Sequence, residues 1–336
     1  KHTATTEIYT RSLHDARPIY VTLAGNATFS GLSRWDIRNG TLRMNGNRIT
    51  KTGGDMVGLN AMNVVPGETG DAAVEVAEGI FRLQSSTRLN GSAANTITVR
   101  SGAEVELHQL THPQEWSLIF ENGTTFDAAN NSGAATQNRW AGPITVEGAL
   151  TLTGGDSTGY VADLQGVISG PGSISKTGAA YITISGTNNT YAGPTAVLNT
   201  RLYIPSLRNV GEPSSLGRPM NAADGAIKLG NGTSATALVY TGAGDTTDRA
   251  IEMAGTTGNA VVYQNGTGPL KFTSDVVVSG VGSKPLTLRG TSGVGAELAG
   301  RVANAEGSTI ALAKEDGGSW LLSNTNTYSG TTTVNA

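Results

Sequence analysis

One phrase occurs twice in this chain. Lys176 to Val197 reads KTGAAYITISGTNNTYAGPTAV, and Lys314 to Val334 reads KEDGGSWLLSNTNTYSGTTTV. Each copy runs from a lysine through a glycine-bearing turn and a short apolar segment to Asn-Thr-Tyr, then a small residue, a glycine and a threonine-bearing segment. A partial echo, Trp140-Ala-Gly-Pro-Ile-Thr-Val146, matches Tyr191-Ala-Gly-Pro-Thr-Ala-Val197 at Ala-Gly-Pro and at the closing valine. Repetition of this kind describes an array in which each unit buries its apolar face against the next, not a domain arranged around one centre.

Short segments of period 2 fill the spaces between the motifs: Thr41–Met44, Thr96–Val99, Glu104–Leu107, Ile144–Val146, Leu150–Leu152, Tyr181–Ile184, Ala237–Tyr240, Asp275–Val278 and Leu286–Leu288. Such alternation predicts strands. Six Asn-Gly pairs, beginning at Asn39, Asn45, Asn90, Asn122, Asn231 and Asn265, separate them. These pairs reach positive φ at low cost, which suits the corners of a solenoid and equally the turns of antiparallel hairpins. With Gly at 46 of 336 residues, aromatic residues at 5% and charged residues at 15%, the chain lacks the bulk for the core of a large globular enzyme, and its small side chains must stack in narrow layers. The repeat and the absence of helical periodicity favour the solenoid.

The motif resembles the autotransporter-associated β-strand repeat. The residues that carry the likeness are Lys176, Ile182, Ile184, Ser185, Gly186, Asn189, Thr190, Tyr191, Ala192, Gly193 and Thr195 in one copy. In the other they are Lys314, Leu321, Leu322, Ser323, Asn326, Thr327, Tyr328, Ser329, Gly330 and Thr331 to Thr333. The first copy has one more residue between its lysine and tyrosine than the second, and the second has Lys314-Glu315-Asp316 where Lys-Thr-Gly is usual. The resemblance implies an all-β fold, a right-handed parallel β-helix (β-solenoid). At roughly 20 to 25 residues per coil it predicts about 13 to 15 coils. The Asn residues of Asn189-Thr-Tyr191 and Asn326-Thr-Tyr328 are then expected at equivalent corners, bonding neighbouring backbone, with each Tyr covering a coil edge. The implied role is that of a bacterial passenger module, structural or adhesive and not catalytic, secreted or displayed at the cell surface. Weak multivalent contacts with polysaccharide or cell-surface components are the expected interactions. The alternative on the same architecture is a carbohydrate-active enzyme, a polysaccharide lyase or glycoside hydrolase, or the scaffold of one.

Residues 1–20 stand apart. Thr6 to Ile19, TEIYTRSLHDARPI, resembles translated sequencing-adapter sequence, and this segment is expected to be disordered and foreign to the fold. It lacks the apolar stretch and small-residue cleavage site of a secretory signal. Residues 21–336 are expected to form the repeat domain as an open-ended fragment, continuing beyond Ala336 because the final repeat stops before its next strand.

Few residues suggest chemistry. His108 and His112, near Glu106 and Glu115, share a His-x-x-x-His spacing that makes a metal site on a helix, but Pro113 and the strand-rich flanks argue against a helix. Glu104 with Glu106, Asp245 with Asp248, and Glu315 with Asp316 are the acid pairs open to glycoside or lyase chemistry. Glu104 and Glu106 share one strand face, but the sequence near them holds no basic cluster for a uronate, and that face is expected to be solvated. Arg34, Arg38, Arg43 and Arg48 with Trp35 could form a sugar or polyanion surface, or be dispersed strand positions. No catalytic residue, cofactor or metal is expected. The net charge of −3 offers no phosphate-tracking stripe, so no nucleic-acid partner is expected. No apolar run reaches the ~18 residues of a membrane-spanning helix, and the absence of Cys removes disulfides and thiolate chemistry.

Overall fold

The computed structural model describes residues 19–31, 33–67, 70–129, 138–155 and 160–335. Most of the adapter-like segment lies outside them. The strand Ile19–Thr22, which pairs with Gly40–Arg43, straddles the boundary expected at residue 20. The chain divides into two compact units, residues 1–166 and 167–336. Each is built from parallel strands stacked rung upon rung, a β-solenoid, with about 12 turns in all among the described residues. The count falls below the 13 to 15 expected because one turn is long: Leu202 pairs with Leu238, while Leu238 pairs with Val262.

In the first unit one sheet stacks Ile19–Thr22, Trp35–Arg43, Met56–Val65, Ile80–Gln84, Glu104–His108, Thr124–Ala129 and Ala149–Thr153 in that order. Register puts Val57, Phe81, Val105, Phe126 and Leu152 in one column, and Ile37, Leu59, Leu83, Leu107 and Ala128 in the next. All ten are buried. A second sheet holds Ala27–Phe29, Arg48–Lys51, Ala73–Val76, Thr96–Val99, Ser117–Phe120 and Ile144–Val146, with the column Ile49, Val74, Ile97, Leu118 and Ile144 turned inward. The core is therefore a set of apolar threads running across the rungs, which is how short strands of small residues bury enough surface to hold together.

The second unit repeats the plan. One sheet stacks Ser173–Lys176, Thr195–Val197, Ile227–Leu229, Ile251–Met253 and Val277–Val278. Another stacks Tyr181–Ile184, Thr200–Ile204, Thr236–Tyr240, Ala260–Gln264, Gly282–Arg289, Ser308–Lys314 and Thr332–Val334. A shorter one stacks Asp245–Thr247, Leu270–Phe272, Ala296–Leu298 and Trp320–Leu322. Asp275 and Val276, expected within a strand, precede it. The long turn carries a four-residue helix, Ala222–Gly225, capped by the Asn221 side chain, which accepts from Asp224 N. On Thr236–Tyr240 and Ala260–Gln264 both faces are buried. Tyr203, Ala237, Val239, Val261 and Tyr263 form the second layer, closed by the Arg201 guanidinium, 5.0 Å from the ring centroids of both Tyr181 and Tyr263.

Each motif residue has a mechanical task. Lys176 Nζ donates to the carbonyls of Gly178 and Asn199 and to Thr200 Oγ1, and Lys314 Nζ donates to the carbonyls of Glu315 and Asp316. Lys51, outside both repeats, does the same for Thr52, Gly53 and Glu78. These ammonium groups collect carbonyls that a tight corner leaves without ladder partners. Asn189 is fully buried: its Oδ1 accepts from Ile168 N on the preceding rung, and its Nδ2 donates to Gly186 O and Ser215 O. Asn326 accepts from Val302 N in the same way. Tyr191 departs from expectation. It does not cover an edge but is fully buried, its hydroxyl 2.6 Å from Thr195 Oγ1, because the next rung closes over its ring at Gly217. The motif glycines sit where successive rungs nearly touch: a Cβ on Gly193 would lie 2.5 Å from Gly172 O, and one on Gly330 would lie 2.3 Å from Ile310 O. Four of the six Asn-Gly pairs do use positive φ, at Asn39, at Asn45 with Gly46, at Gly91 and at Gly123, whereas those at Asn231 and Asn265 turn without it.

Asn189→Ala strips partners from one buried amide and two buried carbonyls. At ~1–3 kcal/mol for each unsatisfied group, the variant is expected to lose about 3 kcal/mol or more in urea unfolding, whereas Asn324→Ala on an exposed bend is expected to stay within about 1 kcal/mol of wild type.

Candidate functional site

The first sheet of the first unit turns most side chains of alternate positions to solvent on its outer face, but between Ile80 and Ala129 that face is a groove of about 560 Å³. Its lining includes Arg34, Arg82, Gln84, Glu104, Glu106 and His108, with Asp127 on the following rung. Strand periodicity explains the set. Glu104, Glu106 and His108 alternate on the strand Glu104–His108, so all three share one face. Register then places Arg82 beside Glu106 on one side and Asp127 on the other, and Gln84 and Ala129 beside His108.

The charges are closely interlocked. Arg82 Nη2 reaches both oxygens of Glu106, at 2.6 and 2.8 Å, and the Glu106 side chain is only 4% exposed. Glu104, Glu106 and Asp127 each bring a carboxylate oxygen within 4.8 Å of the others. Arg34 Nη2 donates to Gln84 Oε1 at 3.3 Å and to Asp36 Oδ2 at 3.2 Å, and Arg38 donates to the same Asp36 oxygen at 2.5 Å. Asp36 folds over Gly58, where a Cβ would lie 2.1 Å from its Oδ1, so a larger residue there would displace the Asp36 carboxylate. Burial, reinforced by the neighbouring charges of Asp127 and Glu106 and only partly opposed by Arg82, pushes the Glu104 carboxyl up to about 7. His108 is pushed down, by burial first and then by the Arg82 and Arg34 charges, so its imidazole favours the neutral form. His108 is 8% exposed and its Nδ1 has no hydrogen-bond partner among the described residues.

The sequence candidates are thus separated. Glu104, Glu106, His108 and Arg34 come together. His112 and Glu115 lie exposed in the bend that follows the strand, away from the groove lining, so the His-x-x-x-His spacing has no geometric meaning here. Asp245 and Asp248 are backbone caps on the long turn: Asp245 Oδ2 accepts from Leu207 N and from the Tyr240 hydroxyl, and Asp248 Oδ1 from Val210 N. Glu315 and Asp316 both pair with Arg289. Arg48 joins the exposed charge ladder of Glu75, Arg100 and Glu121, and Trp35 packs edge-on to Phe29 with its Nε1 on Ser30 O. Two expectations are corrected. Glu106 is not solvated, and a basic partner does stand beside it: Arg82 is 24 residues away in sequence but one rung away in space. Arg82, Gln84 and Asp127 were missed for that reason, and the signal that finds them is a separation equal to one coil.

Glu104 holds its proton in the folded chain up to about pH 7 but in the unfolded chain only to about 4.5, so stability is expected to fall as pH rises across that window and to stay lower above it. Glu104→Gln is expected to gain in melting temperature over wild type from about pH 4.5 to about pH 8; a difference that does not vary with pH would show that Glu104 ionises as an ordinary carboxylate.

Residues 174–199 and 312–336 each match the passenger-associated-transport-repeat family, so the chain carries two such repeats where the doubled phrase lies. Over 160 residues, 48% of this chain, it is 34% identical to the protein named adhesin BmaC autotransporter of Brucella suis biovar 1, and the match spans 4% of that protein's length. No solved structure matches the chain.

Proposed function

We propose that this chain is a segment of a surface-displayed or secreted passenger, a β-solenoid spacer with an adhesive role, whose repeated outer faces make many weak contacts with polysaccharide or other cell-surface components. The observation that carries this proposal is the 34% identity to an autotransporter adhesin over nearly half of the chain, joined to two passenger repeats within a stack of parallel rungs. The physics supports it. A solenoid derives its stability from nearest-neighbour rungs, so it can be lengthened without redesigning a core. Its outer face presents similar chemistry at a constant pitch, which suits avidity more than single-site affinity: linked weak sites gain roughly 10²–10⁴-fold without any new contact.

Beads bearing many copies of the chain are expected to adhere to epithelial monolayers or polysaccharide-coated wells, while the monomeric protein washes off. Adhesion no greater than that of beads bearing an unrelated solenoid would overturn the proposal. A distinct assay addresses the enzymatic alternative. Incubation with pectin, alginate or xylan is expected to release no reducing or unsaturated ends, because Arg82 clamps the Glu106 carboxylate that a two-acid mechanism needs free. Release that disappears in Glu104→Gln and Glu106→Gln would make the chain an enzyme.

A further inference from the structure

We propose that Tyr181 and Arg201, on the outer face of the second unit, bind a uronic-acid residue of a polysaccharide, the sugar ring against Tyr181 and its carboxylate on the Arg201 guanidinium; this rests on the adhesive reading above and gives it a ligand class. Strand pairing builds the place. Arg201 and Tyr203 alternate on the strand Thr200–Ile204, and register sets Ala237 and Val261 beside Arg201, and Val239 and Tyr263 beside Tyr203. Ile182 pairs with Leu202, which puts Tyr181 next to Arg201. The small side chains of Ala237 and Val239 let the long Arg201 side chain lie across the rungs, and its guanidinium stands 5.0 Å from the ring centroids of both Tyr181 and Tyr263.

The guanidinium is held but not neutralised. Its one hydrogen-bond partner among the described residues is the Tyr203 hydroxyl, 3.4 Å from Nη1, and none of the described carboxylates pairs with it. Arg289 makes the contrast: 5.0 Å from the same Tyr263 ring, it donates to both Asp316 oxygens, at 2.8 and 3.1 Å. The arginines that the sequence offered to a polyanion are likewise occupied, Arg34 and Arg38 by Asp36 and Arg48 by Glu75. Aromatic rings engage the charge of a guanidinium and leave its N–H fork for an acceptor, and a carboxylate matches that fork with two parallel bonds. Tyr181 is only partly buried, so part of its ring stays open to the C–H face of a sugar. A uronate suits these two neighbours because its carboxylate is equatorial and lies near the mean plane of the ring: with the ring on tyrosine, the acid meets the guanidinium alongside. An α-linked sialic acid carries its carboxylate axially, out of that plane, and a neutral sugar leaves Arg201 without a counter-charge.

The test is adhesion of beads bearing the full chain to wells coated with polygalacturonate, with the same polymer after reduction of its carboxylates to alcohols, with dextran sulfate, or with a sialylated glycoprotein. The beads are expected to hold to polygalacturonate and to bind the reduced polymer at least roughly tenfold more weakly, a comparison that needs no variant to fold. Arg201→Gln and Arg201→Lys are both expected to lose polygalacturonate binding to a similar degree, since lysine keeps the charge but not the fork. Arg48→Gln, in the exposed charge ladder, is expected to bind as wild type does. The proposal is overturned by equal binding to the native and reduced polymers, by Arg201→Gln and Arg201→Lys variants that melt and bind as wild type does, or by preference for the sulfated or sialylated coat. Adhesion to epithelial monolayers without adhesion to polygalacturonate overturns this site and leaves the adhesive reading standing; adhesion to neither overturns both.

Discussion

Every other feature of this protein depends on the parallel backbone ladder between a rung and its predecessor. Among the described residues the strands are short, the longest being the ten residues Met56–Val65, and each pairs with strands a coil away in sequence instead of with a hairpin neighbour. None of these strands therefore has a local partner, and each inner rung needs both neighbours to satisfy its N–H and C=O groups. This is why the residues that recur in the sequence are those that keep the corners of adjacent rungs in step. Asn189 ties Ile168 behind it to Ser215 ahead, Lys176 gathers the turn carbonyls, and Gly193 yields space for Gly172. An apolar residue at any of these places would leave buried polar groups unpaired, or force the rungs apart.

The same ladder acts on charge. Stacking at the ~4.8 Å strand spacing turns residues a coil apart into contacts, so like and unlike charges collect in columns that sequence proximity does not show. On the outer surface the consequence is modest: Arg48, Glu75, Arg100 and Glu121 form an ion-pair ladder whose exposed members each contribute ~0–1 kcal/mol. In the groove it is larger, because Glu106 and His108 are buried there. A carboxylate with so little water needs Arg82, and burial, reinforced by repulsion from Asp127 and Glu106, raises the Glu104 carboxyl. The groove therefore sits on the outer face without being an ordinary solvated surface. In the second unit, cation–π contacts serve instead: Arg201 lies over Tyr181 and Tyr263, and Arg289 over Tyr263, which covers an apolar second layer without closing a further sheet over it.

The long turn shows how the solenoid tolerates an insertion. Residues between the strands Thr200–Ile204 and Ile227–Leu229 leave the stack, and Arg249 anchors them by donating to the carbonyls of Arg208, Leu216 and Gly217. Asp245 and Asp248 cap backbone N–H groups of the same excursion. These three residues lie in or just after one short strand, Asp245–Thr247, so the excursion is held from a single coil.

The doubled Lys, Asn-Thr-Tyr and Gly phrase, with the period-2 segments between, was enough by itself to determine a stack of short strands. Local periodicity states which side chains face inward, and a repeated corner demands a repeated partner. Most of the expected strands, Thr96–Val99, Ile144–Val146 and Tyr181–Ile184 among them, lie where the alternation put them. Lys51 escaped notice because it performs the motif lysine's task without the rest of the phrase. The burial of Tyr191 also had to await the structure, for only the rung above determines whether a corner ring is an edge or a core residue. So did the groove: the partners of Glu106 are set by register across coils of 24 and 21 residues. Coil length varies with every turn and excursion, so no fixed period in the sequence states which charge will lie above which, and only the hydrogen-bonded stack decides it.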